Sequence, residues 1–329
     1  PPATPETGRR RGGGWVGGVP HERRSVVWRR PCLAGCGGLA VVSGPVLVTG
    51  PTGNVGRAVV RALLAEGVAV RAAVKSPEHT VSLLKEMDGE VMPTPLDFLR
   101  PETFLPALEN VRGVFLMHPP AIAHAEETLN AFIDAAATQG VKQVVFLSMA
   151  GAETRAWAPH HAVEEHLMRS NVGWTLLRPA FFAQNLGDAY REDIRQDGRL
   201  YMPAGHGKVA FVDVRDVGEV AARALLDTSL RNRAFTLTGL EAVSFEEVAS
   251  VLSEVLGRPI RYVPASVPGY VRHLHQRQLS WGQLGMQTLM HVGLRFGKAE
   301  QVDPTLTYLL GRPTRTVRQY IEDHAPLWR

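Results

Sequence analysis

Three glycines at a regular spacing give the clearest chemical signal in the sequence. Gly50, Gly53 and Gly56 lie in TGPTGNVG, between an apolar run and an amphipathic segment. In a strand–turn–helix unit, such glycines allow a tight turn, close approach of the backbone to a pyrophosphate, and contact between helix and strand. The N–H groups at the start of the helix attract the anion. The motif predicts a dinucleotide-binding loop, with a purely structural turn as the alternative; the loop residues are Gly50, Thr52, Gly53, Asn54, Val55 and Gly56.

The end of the next predicted strand indicates which dinucleotide binds. An acidic residue about 20 positions after the glycines would bind the ribose of NAD, whereas a cation would suit the 2′-phosphate of NADP. Lys75 occupies that region, so NADP(H) is favoured and NAD(H) is the second choice. The alternative is a solvated loop lysine in an enzyme that takes either cofactor. Asp97, after the third predicted strand, is expected either to accept a hydrogen bond from the adenine amino group or to cap a helix.

A histidine and a glutamate are spaced to act together. His160 and Glu164 are four residues apart, so in a helix they share one face. The Glu164 carboxylate would then hold the tautomer of the His160 imidazole, which would face the cleft. His160 is therefore the candidate catalytic residue. The alternative is an exposed helix start with a surface ion pair.

Further candidates follow the predicted strands. His118 and Ser148 come after the fourth and fifth strands, where ligands bind in open α/β sheets, and are expected to line the cofactor site. The candidates for substrate contact come after the sixth strand and are Phe181, Phe182 and Asn185. Core packing is the alternative for the phenylalanines, and a rigid turn is the alternative for His118. No metal site is predicted, because the histidines lack zinc-helix spacing.

A parallel sheet is needed to bring these residues together. Short apolar runs alternate with amphipathic segments, which predicts an α/β fold with a doubly wound parallel sheet (Rossmann) and a smaller, mainly helical C-terminal substrate cap. We expect a Gly/Pro/Arg-rich disordered tail over 1–44, an NAD(P)-binding domain over 45–235 and the cap region over 236–329. The predicted strands are 46–49, 68–74, 90–97, 114–117, 144–147, 174–177 and 260–263, and the predicted helices are 54–66, 122–139, 161–169 and 244–256.

Composition excludes several classes of protein. The 329 residues are 45% hydrophobic and 21% charged, which is typical of a globular protein. Residues 1–44 contain seven Arg and two Glu, so the rest of the chain has a net charge of −1 and offers no basic surface for nucleic acid. Prolines and glycines interrupt the uncharged run 31–56, which argues against a membrane span. Both cysteines lie in the tail, so a reducing cytoplasm is expected. The first methionine is Met87, and a tail added by an upstream start assignment is a hypothesis.

Several motifs in one order resemble the NmrA-like, atypical short-chain dehydrogenase/reductase family. They span residues 45–329 and include TGPTGNVG, VRAAVKSP, VKQVVFLSM, WTLLRPAFFAQN, KVAFVDVRDVGEVAARAL and FTLTGLEAVSFEEVASVLSEVLGRPIRYV. The likeness is greatest to NAD(P)H-dependent azo-dye and quinone reductases, and the His-x-x-x-Glu pattern leading to Leu-x-x-Ser is similar to the quinone-reductase branch. The resemblance implies a reductase. It also leaves open a redox-sensing regulator that binds NADP without turnover, or a reductase of carbon–carbon double bonds.

One absence fits an electron-poor substrate. Most short-chain dehydrogenases use a Tyr-x-x-x-Lys relay, but no tyrosine here is followed by lysine at the fourth position. A quinone or azo group accepts hydride directly, and water can protonate the product, so positioning matters more than a tuned acid. We therefore expect an NADP(H)-dependent oxidoreductase that transfers hydride to a small quinone or azo acceptor. The apolar stretch 284–294 is expected to form cap core or the interface of a homodimer.

Overall fold

The computed structural model describes residues 44–78, 89–119 and 125–329. Its strands in these ranges are β1 (Val46–Thr49), β2 (Val70–Val74), β3 (Val91–Pro95), β4 (Gly113–Met117), β5 (Gln143–Leu147), β6 (Gly173–Pro179), β7 (Phe181–Phe182), β8 (Arg199–Met202), β9 (Lys208–Val209), β10 (Phe211–Val212), β11 (Arg233–Leu237), β12 (Val243–Ser244) and β13 (Arg261–Pro264). Its α-helices there are α1 (Asn54–Ala65), α2 (Phe104–Leu108), α3 (Ala125–Thr138), α4 (Pro159–Arg169), α5 (Arg191–Asp197), α6 (Val214–Leu226), α7 (Phe245–Leu256), α8 (Val267–Gln276), α9 (Trp281–Leu294), α10 (Thr305–Leu310) and α11 (Val317–Asp323).

The main sheet has the predicted doubly wound topology. Within the described residues, seven strands pair in parallel in the order β11-β6-β5-β4-β1-β2-β3. The chain moves outward from β1 to β3 and then crosses to β4, so strand order reverses between β1 and β4. Ligands of open α/β sheets bind in the crevice at the carboxyl ends of strands at such a switch point. The prediction of a parallel Rossmann sheet is confirmed.

Alternating side chains of the strands build a core on each face of the sheet. The front core lies under α1, α6 and α10 and includes Val48, Val59, Leu63, Phe115, Val217, Leu306 and Leu310. The back core lies under α2, α3 and α4 and includes Leu47, Leu116, Phe132, Phe146 and Leu167. Leu47 and Val48 enter opposite cores because successive residues of a strand point to opposite faces. The strand ends that carry the candidate residues therefore stand on a sheet packed from both sides.

A third cluster, the cap core, lies outside the main sheet. It joins residues of the segment 181–211 to α7, α8, α9, α11 and the end of the chain, and includes Phe181, Tyr190, Phe211, Phe245, Leu284 and Trp328. Short two-stranded ladders, β7 with β10, β9 with β12 and β8 with β13, accompany the helices. The cap is thus built from two stretches of sequence.

The domain boundary expected between residues 235 and 236 falls within strand β11. This strand pairs with β6 along its whole length and belongs to the main sheet. Two segments also pack on the other side of the expected division. Residues of 181–211 belong to the cap core, and α10 packs in the front core. The apolar pattern shows that these segments are buried, but it does not specify which core receives them.

Several element ends differ from the predicted ones. Helix α4 begins at Pro159 rather than 161, because proline suits the first turn of a helix. Strand β3 is shorter than the predicted 90–97; it is an edge strand, where its prolines are tolerated. The first three residues of the predicted helix 122–139 and almost all of the tail, residues 1–43, lie outside the described residues.

None of the helices in the described part of the chain combines the length and apolar character needed to cross a membrane. Among residues 44–78, 89–119 and 125–329, no group of three or more His, Cys, Asp or Glu side chains is arranged to hold a metal ion. Helix α9 has an exposed apolar side that carries Trp281, Met286 and Leu289. A homodimer interface at this helix remains a prediction.

Candidate functional site

The glycine loop lies at the switch point and forms a cradle that larger residues would fill. Gly50 has a left-handed φ of 59°, and a Cβ there would lie 2.4 Å from Met117 Sδ. A Cβ on Gly56 would lie 2.0 Å from the Gly50 carbonyl oxygen. The Gly53 N–H donates to the same oxygen at 3.1 Å, closing the turn. The geometry provides the tight turn and the helix contact expected of a pyrophosphate loop.

Helix α1 presents its N-terminus to this cradle. It begins at Asn54 with Gly53 at the N-cap and has no acidic residue in its first turn. Thr52, Gly53 and Asn54 are exposed, whereas the Val55 side chain is buried in the front core, so only the backbone of Val55 faces the loop. The free N–H groups and positive end of the helix dipole suit an anion.

A buried threonine fixes the floor of the loop. The Thr49 hydroxyl donates to the Phe115 carbonyl oxygen at 3.1 Å and accepts from the Met117 N–H at 2.9 Å. These bonds continue the pairing of β1 with β4 past the last ladder pair. Sequence reasoning missed this role, because the contact joins segments 66 and 68 residues apart.

Lys75 and Asp97 meet at neighbouring strand ends. The Lys75 Nζ lies 3.3 Å from Asp97 Oδ1, and the lysine side chain is 62% exposed. Burial raises the pKa of Asp97, but the Leu99 N–H and the Lys75 ammonium outweigh it, so the net pKa is below its ordinary value. The carboxylate also accepts from the Leu99 N–H at 3.1 Å. Asp97 therefore stabilises a local turn and the lysine together.

Three of the predicted site residues come together at the carboxyl ends of β4 and β5. Met117 and Leu147 are paired in the ladder, so His118 and Ser148 follow on adjacent strands. The ring centroids of His118 and His160 are 5.1 Å apart, and His160 also lies 6.1 Å from Phe146. Ser148 is buried, and its hydroxyl has no hydrogen-bond partner within the described residues. We call the three residues His118, Ser148 and His160 the His–Ser corner.

The imidazole of His160 is uncharged at neutral pH. Burial and the neighbouring His118 lower its pKa to about 4, against a smaller opposing effect of Glu164. Glu164 is engaged elsewhere, since its two oxygens accept from Arg178 at 2.9 and 2.6 Å. The structure thus differs from the expectation that Glu164 holds the His160 tautomer. A guanidinium fork matches a carboxylate in both geometry and charge and outcompetes an imidazole.

The substrate candidates after β6 occupy different environments. Phe181 is buried in the cap core, with its ring centroid 5.5 Å from that of Phe211. Phe182 is half-buried and packs against the front core. Asn185 is partly exposed, and its carbonyl oxygen accepts from the Tyr190 N–H at 3.1 Å. Phe182 and Asn185 therefore remain the better placed of the three for contact with a ligand.

Three further hydrogen bonds tie this segment to distant parts of the chain. The Gln184 amide donates to Asp213 at 3.0 Å and accepts from the Val214 N–H at 3.1 Å. The Asn54 amide donates to the Asp188 carboxylate at 2.6 Å. None of the three has a sequence signal, because polar pairs separated by 29 to 134 residues follow no helical or strand period.

Comparison with known proteins places this arrangement in a family. Residues 43–307 match the NmrA-like family. The chain belongs to the NmrA-like family. It is 32% identical over 294 residues to an NAD(P)H azoreductase of Xenophilus azovorans, an alignment that covers 85% of this chain and 98% of the relative. The family resemblance identified from the motifs is confirmed.

Solved structures share the fold at lower identity. The NADPH-dependent quinone oxidoreductase of Escherichia coli, complexed with NADPH, superposes with a TM-score of 0.75 at 24% identity, covering 84% of this chain and 99% of that one. The negative transcriptional regulator NmrA, in complex with NADP, gives a TM-score of 0.70 at 17% identity, with 86% of this chain and 96% of that one covered. The same architecture therefore occurs in both a reductase and a regulator.

Proposed function

We propose that this protein is an NADP(H)-dependent oxidoreductase that transfers hydride from the nicotinamide to an electron-poor acceptor such as a quinone or an azo compound. The glycine cradle at the switch point carries the proposal, because a Cβ at Gly50 would clash with Met117 and a Cβ at Gly56 with the Gly50 carbonyl group, so the tight turn and helix contact of a pyrophosphate loop depend on these glycines. The azoreductase relative and the quinone oxidoreductase fold support the choice of acceptor.

The loop and the ends of β2 and β3 would hold the cofactor. The pyrophosphate would rest on the N–H groups of residues 54–56, at the positive end of α1. The Lys75 ammonium is exposed and flexible enough to pair with a 2′-phosphate, which supports NADP over NAD. Asp97 would steer the lysine through their ion pair, and its remaining acceptor capacity is available to the adenine amino group.

The His–Ser corner would line the acceptor side of the cleft. Bound NADPH supplies the hydride. The uncharged His160 imidazole can donate one hydrogen bond to a quinone oxygen or azo nitrogen, and His118 and the Ser148 hydroxyl supply further polar contacts. Phe182 and Asn185 would contact the acceptor from the segment after β6. Orientation of a planar acceptor, rather than a strong acid, is the contribution expected of these residues.

Turnover with purified protein tests the proposal. NADPH and a panel of quinones and azo dyes should give acceptor-dependent loss of the reduced nicotinamide absorbance, with NADPH used better than NADH. The His160→Ala variant should bind NADPH normally and lower kcat by roughly tenfold, which corresponds to about 1.4 kcal/mol and lies at the upper end of the range for one neutral hydrogen bond. NADPH binding without turnover of any acceptor would contradict the enzyme assignment.

A redox-sensing regulator that binds NADP without turnover is the second candidate, favoured by the NmrA fold. A sensor must distinguish the oxidised from the reduced nucleotide, whereas an enzyme must exchange them. Calorimetry with NADP⁺ and NADPH, combined with the turnover assay, separates the two. Strongly different affinities together with unchanged NADPH in every assay would support the sensor.

A further inference from the structure

A hydrogen bond joins the start of α1, in the sheet half of the molecule, to the cap segment that follows β6. The Asn54 amide nitrogen donates to the Asp188 carboxylate at 2.6 Å, and the two residues are 134 positions apart. Asn54 is the first residue of α1, and its neighbour Val55 is buried in the front core. Asp188 follows Leu186 of the cap core. The bond therefore links two separate hydrophobic cores.

The sheet topology shows what this bond spans. Asn54 follows β1 and Asp188 follows β6, and the strands β4 and β5 lie between these two in the sheet. Three strand spacings amount to about 14 Å, which is far longer than two side chains in contact. The segment that carries Asp188 must therefore run back over the carboxyl ends of β5 and β4 to reach the loop. These are the strand ends that carry the His–Ser corner.

Asp188 is presented by a tightly packed segment. A Cβ on Gly187 would lie 2.6 Å from the Tyr320 hydroxyl and 2.9 Å from Leu327, so α11 and the end of the chain press against this backbone. The Asp188 N–H donates to the Gln184 carbonyl oxygen at 3.0 Å. Gln184 is itself fixed by Asp213. The backbone that carries the exposed Asp188 carboxylate is therefore fixed by packing and hydrogen bonds.

We propose that the Asn54–Asp188 pair is a strap that closes over the bound dinucleotide and slows its release. This inference rests on the proposed cofactor role of the glycine loop. Breaking the strap would remove a connection between the two sides of the cleft without altering the loop backbone or the His–Ser corner. Asp188 is a positioning residue in this proposal, and its effect falls on cofactor exchange.

The release rate of NADPH tests the strap. NADPH bound to purified protein is displaced by excess NADP⁺ in a stopped-flow instrument, and its fluorescence is followed. Asp188→Ala should raise the release rate by roughly fivefold, the value expected from one hydrogen bond. Asp188→Asn keeps an acceptor oxygen and should stay within about twofold of wild type. The matched control is Asp197→Ala, which removes an exposed carboxylate that pairs with Arg199.

A double-mutant cycle shows whether the two residues act as a pair. The combined Asn54→Ala and Asp188→Ala variant should release NADPH no faster than the faster single variant, because the second change removes a bond that is already broken. Fully multiplicative effects would overturn the inference.

Two other outcomes would also overturn it. Unchanged release from Asp188→Ala would mean that the bond does not restrain the cofactor. Slower release would mean that Asp188 acts mainly by repelling the phosphates. Wild-type protein that bound neither nucleotide would instead overturn the proposed function and the strap together, so the wild-type measurement distinguishes the two failures.

Discussion

The sheet half and the cap core hold their parts together by different means. In the sheet half, the strands are joined by backbone hydrogen bonds and covered by apolar side chains, and backbone contacts shape the glycine loop. The cap core contains buried polar side chains that form hydrogen bonds and ion pairs with one another. Asp193 there is buried and binds both His273 and Arg277, and the fully buried His291 bonds to Tyr190. The comparison suggests that backbone shape builds the cofactor site and side-chain networks build the cap.

The largest effect on cofactor binding should come from disturbing the backbone of the loop. Gly56→Ala places a Cβ against the Gly50 carbonyl group, and the loop must move to relieve the clash. We expect NADPH affinity to fall by at least roughly 100-fold and the free energy of unfolding by about 2 kcal/mol. Isothermal calorimetry and urea unfolding measure both quantities.

The control for this change is Gly285→Ala, because a Cβ on Gly285 of α9 meets no atom within 4 Å. This helical substitution should leave NADPH affinity unchanged and be neutral or slightly stabilising. Normal NADPH binding by Gly56→Ala would contradict the view that the cofactor site depends on the backbone shape of the glycine loop.

Buried carboxylates of the sheet half limit and sharpen the comparison: Glu164 binds Arg178, and Asp216 of α6 binds Arg312 and Arg315. Glu164 is 1% exposed, and both oxygens bind the guanidinium. Glu164→Gln leaves Arg178 with only the more exposed Glu153 as counter-ion and should lower the free energy of unfolding by about 2 to 3 kcal/mol, somewhat less than the loss of the sole partner of a buried charge. Urea unfolding measures this loss. Glu165→Gln, which removes a partly exposed partner of Arg169, should change the same quantity by less than about 1 kcal/mol.

The polar network of the cap should make its stability depend on pH. Burial lowers the pKa of His291 to about 4, so the unfolded chain binds a proton there that the folded protein excludes. The resulting stabilisation is complete above about pH 6.5 and is lost as the pH falls towards 4, a change of about 3 kcal/mol.

Urea unfolding between pH 7 and pH 4.5 measures this dependence. His291→Gln, which does not titrate, should lower stability at pH 7 and flatten the profile relative to wild type. His206→Gln is the control, because its side chain is 94% exposed and should leave the profile unchanged. An equally steep profile for His291→Gln would mean that the cap network is not the source.

The smallest effect is expected at Lys75, and it tests whether the preference for NADPH over NADH can be changed without disturbing the packing of either half. Lys75→Ala removes an exposed ammonium and should raise the KM for NADPH roughly tenfold, with little change for NADH, since one charged contact to the 2′-phosphate is lost. Steady-state kinetics with both nucleotides measures this. Lys142→Ala, which removes another exposed lysine, is the matched control. Equal effects on the two cofactors would contradict the phosphate role of Lys75.

Sequence reasoning predicted the sheet half well, for a physical reason. Buried parallel strands and amphipathic helices carry local apolar periods, and the glycine loop has a fixed spacing, so both are visible within short windows. The positions of β1, β4 and β5 followed closely from such patterns. The adjacent positions of His118 and Ser148 followed from the rule that parallel strands end at one edge, whereas the contact of His118 with His160 of α4 was not predicted.

The parts that were missed depend on contacts between distant residues. The helical spacing of His160 and Glu164 correctly indicated proximity but could not show that Arg178 competes for the carboxylate. The strap and the Gln184 contacts have no local period either. The apolar runs likewise do not record which core receives the segments 181–211 and α10.

The return of α10 to the front core affects how the protein assembles during synthesis. Leu306, Leu309 and Leu310 fill positions against the sheet half, although they are translated after most of the cap. The Rossmann half consequently cannot complete its interior on the ribosome until Leu310 has emerged. A nascent chain arrested ahead of that point should expose apolar surface and recruit chaperones, even with every strand of the large sheet already made.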